Sequence, residues 1–175
     1  MNEVEVKILD IDRDAVESAL RARGAEKIFD DEMYAVYLDH PDDTLKKSGD
    51  LLRLRKEGDQ NILTFKKFVS NTPAKIREEY EVTVSDFESI RYVFEQLGFR
   101  EWLIMRKHRT SYEVEGVHFE FDRYLDDYEY IPEFLEIEAG DIESIYRFVE
   151  ELGFDKDACR PWTFLDVVDH YAPGT

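Results

Sequence analysis

The chain has a single cysteine among its 175 residues, and features that define several common protein classes are missing. Cys159 has no partner for an intramolecular disulfide bond. No apolar run is long enough to cross a bilayer or to form the hydrophobic region of a signal peptide. These absences predict a cytoplasmic protein.

Glycine-rich phosphate-binding loops are absent as well. Neither GxxxxGK nor GxGxxG occurs, which excludes the P-loop and dinucleotide-binding classes. Metal-ligand spacing is missing among the four histidines, His40, His108, His118 and His170. We expect them to be structural or surface residues. Cys159 has no basic neighbour except Arg160, so a nucleophilic role is not expected.

Basic residues are few relative to acidic ones. The chain has 23 Lys and Arg against 41 Asp and Glu, a net charge of -18 and a pI near 4.6. This balance argues against binding to a nucleic-acid backbone or to an anionic membrane surface. A carboxylate-rich surface of this kind is also typical of proteins from a high-salt cytoplasm.

Apolar residues are sufficient for a core, at 43% hydrophobic and 14% aromatic content. No segment rich in Pro, Gly and Ser divides the chain. We therefore predict a single domain over residues 1–175.

Eight segments show the alternation of apolar and polar residues, or the β-rich composition, that predicts strands. They lie at about residues 2–9, 33–39, 51–57, 61–67, 77–84, 101–114, 117–124 and 133–140. EGDQN at 57–61 and EG at 115–116 are typical of hairpin turns, which join antiparallel neighbours. The sheet is therefore predicted to be mostly antiparallel.

Four further segments predict short helices. Three are amphipathic and open on an acidic or polar cap: DRDAVESALRARG, SDFESIRYVFEQLGF and GDIESIYRFVEELGF. The second and third resemble one another, which indicates an internal duplication, and Gly98 and Gly153 are their predicted C-terminal caps. The fourth segment is WTFLDVVDHY.

The first predicted strand places its charges on one face. In MNEVEVK, Glu3, Glu5 and Lys7 occupy alternate positions, with Val4 and Val6 between them. Successive side chains of a strand point to opposite faces, so the three charges share one side. Taken alone, this pattern is typical of a half-exposed strand with a solvated face.

The same alternation recurs in nearly every later strand, as in LLRLRK, LTFKK, IREEYEV, IMRKHRT, HFEFDRY and FLEIEAG. The bases on these faces are Lys7, Arg53, Arg55, Lys66, Arg77, Lys107 and Arg109. The acids are Glu3, Glu5, Glu79, Glu81, Glu120, Asp122, Glu136 and Glu138. This set is nearly balanced in a strongly acidic chain, so the bases are gathered on these faces.

Two arrangements accommodate such faces. They can be the solvent side of an antiparallel sheet, or the interior of a barrel whose valines, leucines and phenylalanines lie outside under helices. A charged interior is costly unless its charges are paired, hydrated or matched to a ligand. A ligand with several phosphates and bound divalent cations matches both signs, because Arg and Lys bind phosphate oxygens and carboxylates bind Mg²⁺ or Mn²⁺.

Glu3-Val4-Glu5-Val6-Lys7 resembles the ExExK signature of the CYTH, or triphosphate tunnel metalloenzyme, superfamily. That superfamily includes class IV adenylyl cyclases, thiamine triphosphatases and tripolyphosphatases. The rest of its pattern follows in order: LRLR at 52–55, TFK at 64–66, REEYE at 77–81, KHR at 107–109, an acidic strand ending at Asp122 and EIE at 136–138. The resemblance covers nearly the whole chain and is strongest to the class IV adenylyl cyclases.

The resemblance implies a β-rich α+β fold, a closed eight-stranded antiparallel barrel flanked by short helices, with Mg²⁺ or Mn²⁺ as cofactor. By position, the metal ligands would be Glu3, Glu5, Asp122, Glu136 and Glu138. The phosphate-binding residues would be Lys7, Arg53, Arg55, Lys66, Lys107 and Arg109, with Arg77, Glu79 and Glu81 orienting the groups around them. Arg77 would also contact the substrate, and Lys7, Arg55, Lys66 and Arg109 would assist the reaction. Glu120 and Lys75 share the parity of these positions and are expected at the rim.

The resemblance leaves two reactions open, of which we expect the first. A cyclase converts ATP to cyclic AMP and pyrophosphate, whereas a triphosphatase hydrolyses thiamine triphosphate, a nucleoside triphosphate or inorganic tripolyphosphate. A polyphosphate or nucleotide sensor without turnover is a third interpretation, against which the paired carboxylates argue. A structural barrel with internal ion pairs is a fourth. Exposed apolar positions on the outer strands could support a homodimer.

Overall fold

The computed structural model describes residues 2–172, in which eight strands and five helices occur. The strands are β1 (Asn2–Ile8), β2 (Glu26–Asp39), β3 (Leu51–Glu57), β4 (Gln60–Ser70), β5 (Lys75–Val84), β6 (Arg100–Val114), β7 (Val117–Tyr124) and β8 (Phe134–Ala139). The helices are α1 (Arg13–Ala22), α2 (Thr44–Ser48), α3 (Phe87–Gln96), α4 (Ile142–Glu151) and α5 (Phe164–Tyr171). None of these helices is long and apolar enough to span a membrane.

All eight strands form one closed antiparallel barrel in the order β1-β5-β4-β3-β2-β6-β7-β8, and β8 pairs back to β1. This confirms the predicted fold. Both predicted hairpins are present. In the second, Glu115 and Gly116 have φ angles of 53° and 72°, the left-handed backbone that a two-residue type I′ turn requires.

The apolar faces of the strands lie outside the barrel, under the helices, as the barrel hypothesis predicts. Val4, Val6 and Ile8 of β1 are buried in one cluster with Leu20 of α1 and Phe148 of α4. Fully burying a side chain of this size contributes about 1.5–3 kcal/mol. A second cluster outside the barrel joins β2 and β3 to α3. A third lies inside one end of the barrel, where α5 packs against inward side chains of β2, β6, β7 and β8 such as Tyr37.

The three amphipathic helices begin and end where the sequence predicts. The side chains of Asp12, Asp86 and Asp141 accept backbone N–H hydrogen bonds of 3.1, 2.7 and 2.7 Å and so cap α1, α3 and α4. Gly98 and Gly153 follow the last turns of α3 and α4 with φ of 90° and 85°. Both predicted glycine caps are therefore confirmed.

Two strands begin earlier than predicted. β5 starts at Lys75 rather than 77, and β2 starts at Glu26 rather than 33. Residues 26–32 pair with β6 alone, since β3 reaches only as far as Met33, and most of them are exposed. A segment with no buried face shows no apolar alternation, which explains why the sequence does not reveal it.

Helix α2 was not predicted, because five residues are too few to show helical periodicity. The buried carboxylate of Asp39, at the end of β2, accepts hydrogen bonds of 2.9 Å from the backbone N–H groups of both Leu45 and Lys46. These bonds fix α2 against the end of the barrel.

Candidate active site

The interior of the barrel is a charged cavity of about 970 Å³. Inward positions of neighbouring strands face one another, so that Glu3 lies opposite Arg77 and Lys7 opposite Glu136. The charged strand faces therefore point inward, which decides between the two arrangements that the sequence allowed. Nearly all of the net charge of -18 lies outside, because the interior is close to balanced.

Almost all predicted site residues line this cavity. They are Glu3, Glu5, Lys7, Arg53, Arg55, Lys66, Arg77, Glu79, Glu81, Lys107, Arg109, Glu136 and Glu138. Glu120 and Lys75 line it too, and only 12% of each side chain is exposed, so they belong to the wall rather than to the rim. Of the four histidines, His118 is part of the lining.

Lys7 and Lys75 share the carboxylate of Glu5. Lys7 Nζ lies 2.6 Å from Glu5 Oε1 and also pairs with Glu136, and Lys75 pairs with the same Glu5 oxygen. Burial opposes the charge of Lys7, but Glu136 and Glu5 raise its pKa well above the ordinary value. Burial lowers the pKa of Lys75 to about 8, and the charge of Lys7 acts in the same direction against the attraction of Glu5.

Lys66 of β4 and Arg55 of β3 are held by acids of β1, β3 and β5. Lys66 Nζ lies 2.7 and 2.6 Å from the two Glu3 oxygens and 3.2 Å from Glu79. Arg55 lies 2.8 Å from a Glu57 oxygen and 3.1 Å from Glu81. Glu79 and Glu81 thus contact bases of the wall, and the supporting role that the sequence suggests for them stays a prediction.

Asp122 shares the inward parity of Arg109, its cross-strand partner, but is not part of the cavity lining. Its carboxylate is 1% exposed and accepts two hydrogen bonds from Arg109, of 2.7 and 2.6 Å, and one of 2.6 Å from Lys107. Burial raises the pKa of an aspartate, but Arg109 and Lys107 hold that of Asp122 below its ordinary value. In this arrangement Asp122 positions two bases, and its assignment as a metal ligand stays a prediction.

Three carboxylates converge on one point of the wall. Glu120, Glu136 and Glu138 each offer one oxygen, and these oxygens lie within 4.8 Å of one another. Burial and the charge of Glu136 raise the pKa of Glu120 to about 7, although Arg109 opposes the shift. Burial, Glu3 and Glu120 raise that of Glu138 to about 10.

Hard divalent cations prefer carboxylate oxygens, and an ion among these three would replace their mutual repulsion by attraction. The buried Glu120 Oε2 accepts no hydrogen bond within residues 2–172, although the Arg109 guanidinium lies beside it. The donor set therefore fits Mg²⁺ or Mn²⁺. Glu136 and Glu138 were predicted ligands, whereas Glu120 was expected at the rim.

Two inward arginines, Arg53 and Arg77, have no carboxylate partner among residues 2–172. Arg53 Nε has no hydrogen-bond partner there. Arg77 Nη1 donates only to the carbonyl oxygens of Ser70 and Ile76 and to the Asn71 side chain, at 3.4, 3.1 and 3.3 Å. A buried guanidinium without a counter-ion is ready to bind an anion.

One end of the cavity is apolar and aromatic, which sequence analysis missed. Its lining includes Tyr37, Leu51, Trp102, Leu103, Tyr124, Phe164 and Leu165. Tyr37 lies opposite Arg53 across β2 and β3 and so shares the inward parity, but an uncharged side chain at such a position gives no sequence signal of a site. Lys46 and Lys47 of α2 line the same end.

A family model described as CYTH domain matches residues 1–158 of the chain. A protein of Methanocaldococcus jannaschii that carries the name "Putative adenylate cyclase" is 31% identical over 154 residues, which cover 87% of this chain and 86% of that protein.

Solved structures share the fold. A conserved hypothetical protein from Pyrococcus furiosus is 27% identical, with a TM-score of 0.77 over 94% of this chain and 99% of that one. The Hippeastrum protein HpAC1, for which a dominant triphosphatase activity is described, superposes with a TM-score of 0.61 over 97% and 95% of the two chains. At 15% identity this last likeness concerns the fold alone.

Proposed function

Because the chain belongs to the CYTH domain family, we propose that it is an enzyme that acts on a triphosphate in the barrel interior together with Mg²⁺ or Mn²⁺. The reaction we propose is the conversion of ATP to cyclic AMP and pyrophosphate. Hydrolysis of thiamine triphosphate, a nucleoside triphosphate or inorganic tripolyphosphate is the alternative.

One observation carries the proposal: a single cavity combines converging carboxylates with two arginines that form no ion pair within residues 2–172. A cation site alone would not need Arg53 and Arg77, and a simple anion site would not need Glu120, Glu136 and Glu138. A metal complex of a triphosphate presents both charges over a short distance.

The bases of the wall would divide the phosphates among them. Arg53 and Arg77 are free to bind phosphate oxygens directly, whereas Lys7 and Lys66 would exchange part of their contact with Glu136 and Glu3 for the ligand. Arg109 is fixed by Asp122, so its guanidinium is already oriented when the ligand enters. Preorganised donors of this kind stabilise charge that develops during phosphoryl transfer.

Glu120, Glu136 and Glu138 would hold the divalent cation, with Glu3 beside Glu138. When bound, the ion supplies Lewis-acid stabilisation of phosphate charge. In cyclisation the ribose 3′-oxygen forms a bond to the α-phosphorus, the bond to pyrophosphate breaks, and the hydroxyl proton must be accepted. Lys75, whose pKa is lowered to about 8, supports the proposal as a proton acceptor in the wall.

Hydrolysis would use the same wall, with water in place of the ribose hydroxyl. The name of the Methanocaldococcus relative favours cyclisation, and the activity described for the Hippeastrum protein of the same fold favours keeping hydrolysis as the alternative. In both reactions the protein binds phosphates and neutralises charge, so the wall serves either.

The test is to incubate the protein with Mg²⁺ or Mn²⁺ and, in parallel, ATP, thiamine triphosphate and tripolyphosphate, and to separate the products by chromatography. Cyclic AMP would select the cyclase and orthophosphate the hydrolase. Arg53→Gln should lower turnover by at least tenfold, whereas Arg106→Gln, an exposed arginine on the outer face of β6, should not. Failure of all three triphosphates to bind or react at both low and high salt would contradict the proposal.

A further inference from the structure

The two copies of the internal duplication, β5–α3 and β8–α4, differ in how far their apolar side chains are covered. In the β8–α4 copy, four such side chains are fully or partly buried in one cluster: Leu135, Ile137, Phe148 and Leu152. Their counterparts in the β5–α3 copy, at a constant offset along the chain, are Tyr80, Val82, Val93 and Leu97. These four are between 46% and 65% exposed. We call them the α3–β5 surface.

Helix α1 covers the β8–α4 copy. Leu20 of α1 is fully buried in the cluster that contains Phe148. Arg23, which follows α1, lies 5.9 Å from the centre of the Phe148 ring and pairs with Glu151 at 2.6 Å. Within residues 2–172 no helix takes the corresponding place beside α3, since the counterpart positions are exposed. The β5–α3 copy therefore lacks the amphipathic helix that completes the other copy.

The exposed side chains of α3 and β5 are neighbours. Arg91 of α3 donates a hydrogen bond of 2.9 Å to a β6 carboxylate, and helical spacing places Val93 and Leu97 on the other flank of the helix. Because α3 packs over β2 and β3, which lie between β6 and the β4–β5 pair, that flank faces β5. Phe65 of β4 connects the two parts, since its ring lies 6.5 Å from the Tyr80 ring and packs against the cluster under α3.

Charge is scarce on this surface, although the chain carries -18. Ser89 and Gln96, the next α3 positions on the exposed side of Val93, are uncharged. On the outer side of the sheet, Lys67 lies opposite Glu78, so these two charges balance. Two copies of a strongly acidic chain repel one another, and an apolar face of low charge is where that repulsion is weakest.

We propose that the α3–β5 surface joins two copies of this chain in a symmetric dimer, in which α3 of the second copy takes the place that α1 takes beside α4. The surface supplies both an uncovered apolar face and the amphipathic helix that covers it, as a two-fold interface requires. The inference does not depend on the proposed function, because none of the four side chains lines the cavity.

Sedimentation equilibrium of the full chain tests the proposal. The chain should be a dimer at about 0.1 mM, and the dimer should tighten as the salt concentration rises, because salt screens the repulsion between acidic copies. A chain that stays monomeric at about 0.1 mM in both low and high salt would overturn the proposal.

Variants locate the contact. The double variant Val93→Glu and Leu97→Glu should raise the dissociation constant of the dimer at least tenfold, because it places two carboxylates in an apolar interface. Ile28→Glu is the matched control, since Ile28 is 48% exposed and lies on the part of β2 that pairs with β6 alone. The control should change the constant less than twofold.

Tyr80→Glu tests the same surface from β5 if the double variant in α3 does not fold, and it should also weaken the dimer at least tenfold. Circular dichroism shows whether each variant is folded. A dimer that persists in the folded α3 and β5 variants, or that Ile28→Glu weakens equally, would place the contact elsewhere and overturn the proposal.

Discussion

Arg53 and Leu54 are neighbours in β3 and lie on opposite sides of the barrel wall. Leu54 is fully buried outside the barrel, in the cluster that includes Phe87 of α3. The Arg53 side chain lies in the cavity, where its Nε has no hydrogen-bond partner among the described residues. One strand thus contributes packing on one face and an anion-binding group on the other, and substitutions at the two positions should separate stability from function.

Leu54→Ala should lower the free energy of unfolding by about 2–5 kcal/mol, because it leaves a cavity in a fully buried cluster. Denaturant unfolding measures the change. The folded fraction should keep its affinity for triphosphate, since no atom of the cavity wall is removed. A loss below about 1 kcal/mol would contradict the packing described here.

Arg53→Met should instead keep the stability of the protein and lower its affinity for triphosphate. It removes a half-buried charge that forms no ion pair among the described residues and keeps an unbranched apolar stem, so the melting temperature of the ligand-free protein should change little. The concentration of tripolyphosphate, in the presence of Mg²⁺, that is needed for a given rise in melting temperature should increase at least tenfold. Arg106→Met, on the outer face of β6, should leave that concentration unchanged; an equal increase there would show that Arg53 has no special role.

Asp122→Asn and Glu138→Gln should affect different ligands. Asp122 holds Arg109 and Lys107, and breaking such a buried pair costs about 3–5 kcal/mol of stability. Asp122→Asn should therefore also weaken triphosphate binding, while Mn²⁺ binding persists. Glu138→Gln should instead weaken Mn²⁺ binding about tenfold or more with a stable fold. Paramagnetic resonance of free Mn²⁺ measures both variants, and loss of Mn²⁺ binding in Asp122→Asn would make Asp122 a metal ligand after all.

Without divalent cations, stability should fall as the pH rises from about 5 to 8, above which the lowered pKa of Lys75 acts in the opposite direction. The pKa of Glu120 is raised to about 7 and that of Glu138 to about 10. Between the ordinary carboxyl pKa, about 4.3, and these values the folded state holds protons that the unfolded state has released. Stability therefore declines with pH over this interval.

Thermal melts at several pH values, in chelator and in Mg²⁺, test this dependence. Mg²⁺ should flatten it, because a bound cation replaces the protons, and binding of Mg²⁺ at pH 7 should release protons. Glu138→Gln should also flatten the curve in chelator. A melting temperature that rises with pH in the metal-free protein would contradict the raised pKa values.

Much of the fold and charged wall could be predicted from the sequence, because the barrel uses a strict period of two. The alternation that placed Val4 outside placed Glu3 and Glu5 inside, and the cavity contains them. The same alternation places Glu120 and Lys75 on the inward side, where they line the cavity. Parity alone cannot tell a residue of the rim from one of the wall, since that depends on the stagger of neighbouring strands.

Other parts of the site depend on irregular structure. A β-bulge in β6 at Trp102 reverses the side that its alternation predicts, and no local motif marks it. Asp122 shares the parity of the wall residues, but it is fully buried and accepts hydrogen bonds from Arg109 and Lys107, which line the cavity in its place. These features require coordinates, because they depend on contacts between strands rather than on spacing within one strand.

The concentration of negative charge on the outside has a consequence for encounter rates. Nearly all of the charge of -18 lies outside the balanced interior. A polyanionic ligand that diffuses toward the protein is therefore repelled before it reaches the bases that bind it. Salt screens this repulsion over about 10 Å at 0.1 M. The association rate should consequently rise with ionic strength, the reverse of the salt dependence found for electrostatically steered ligands.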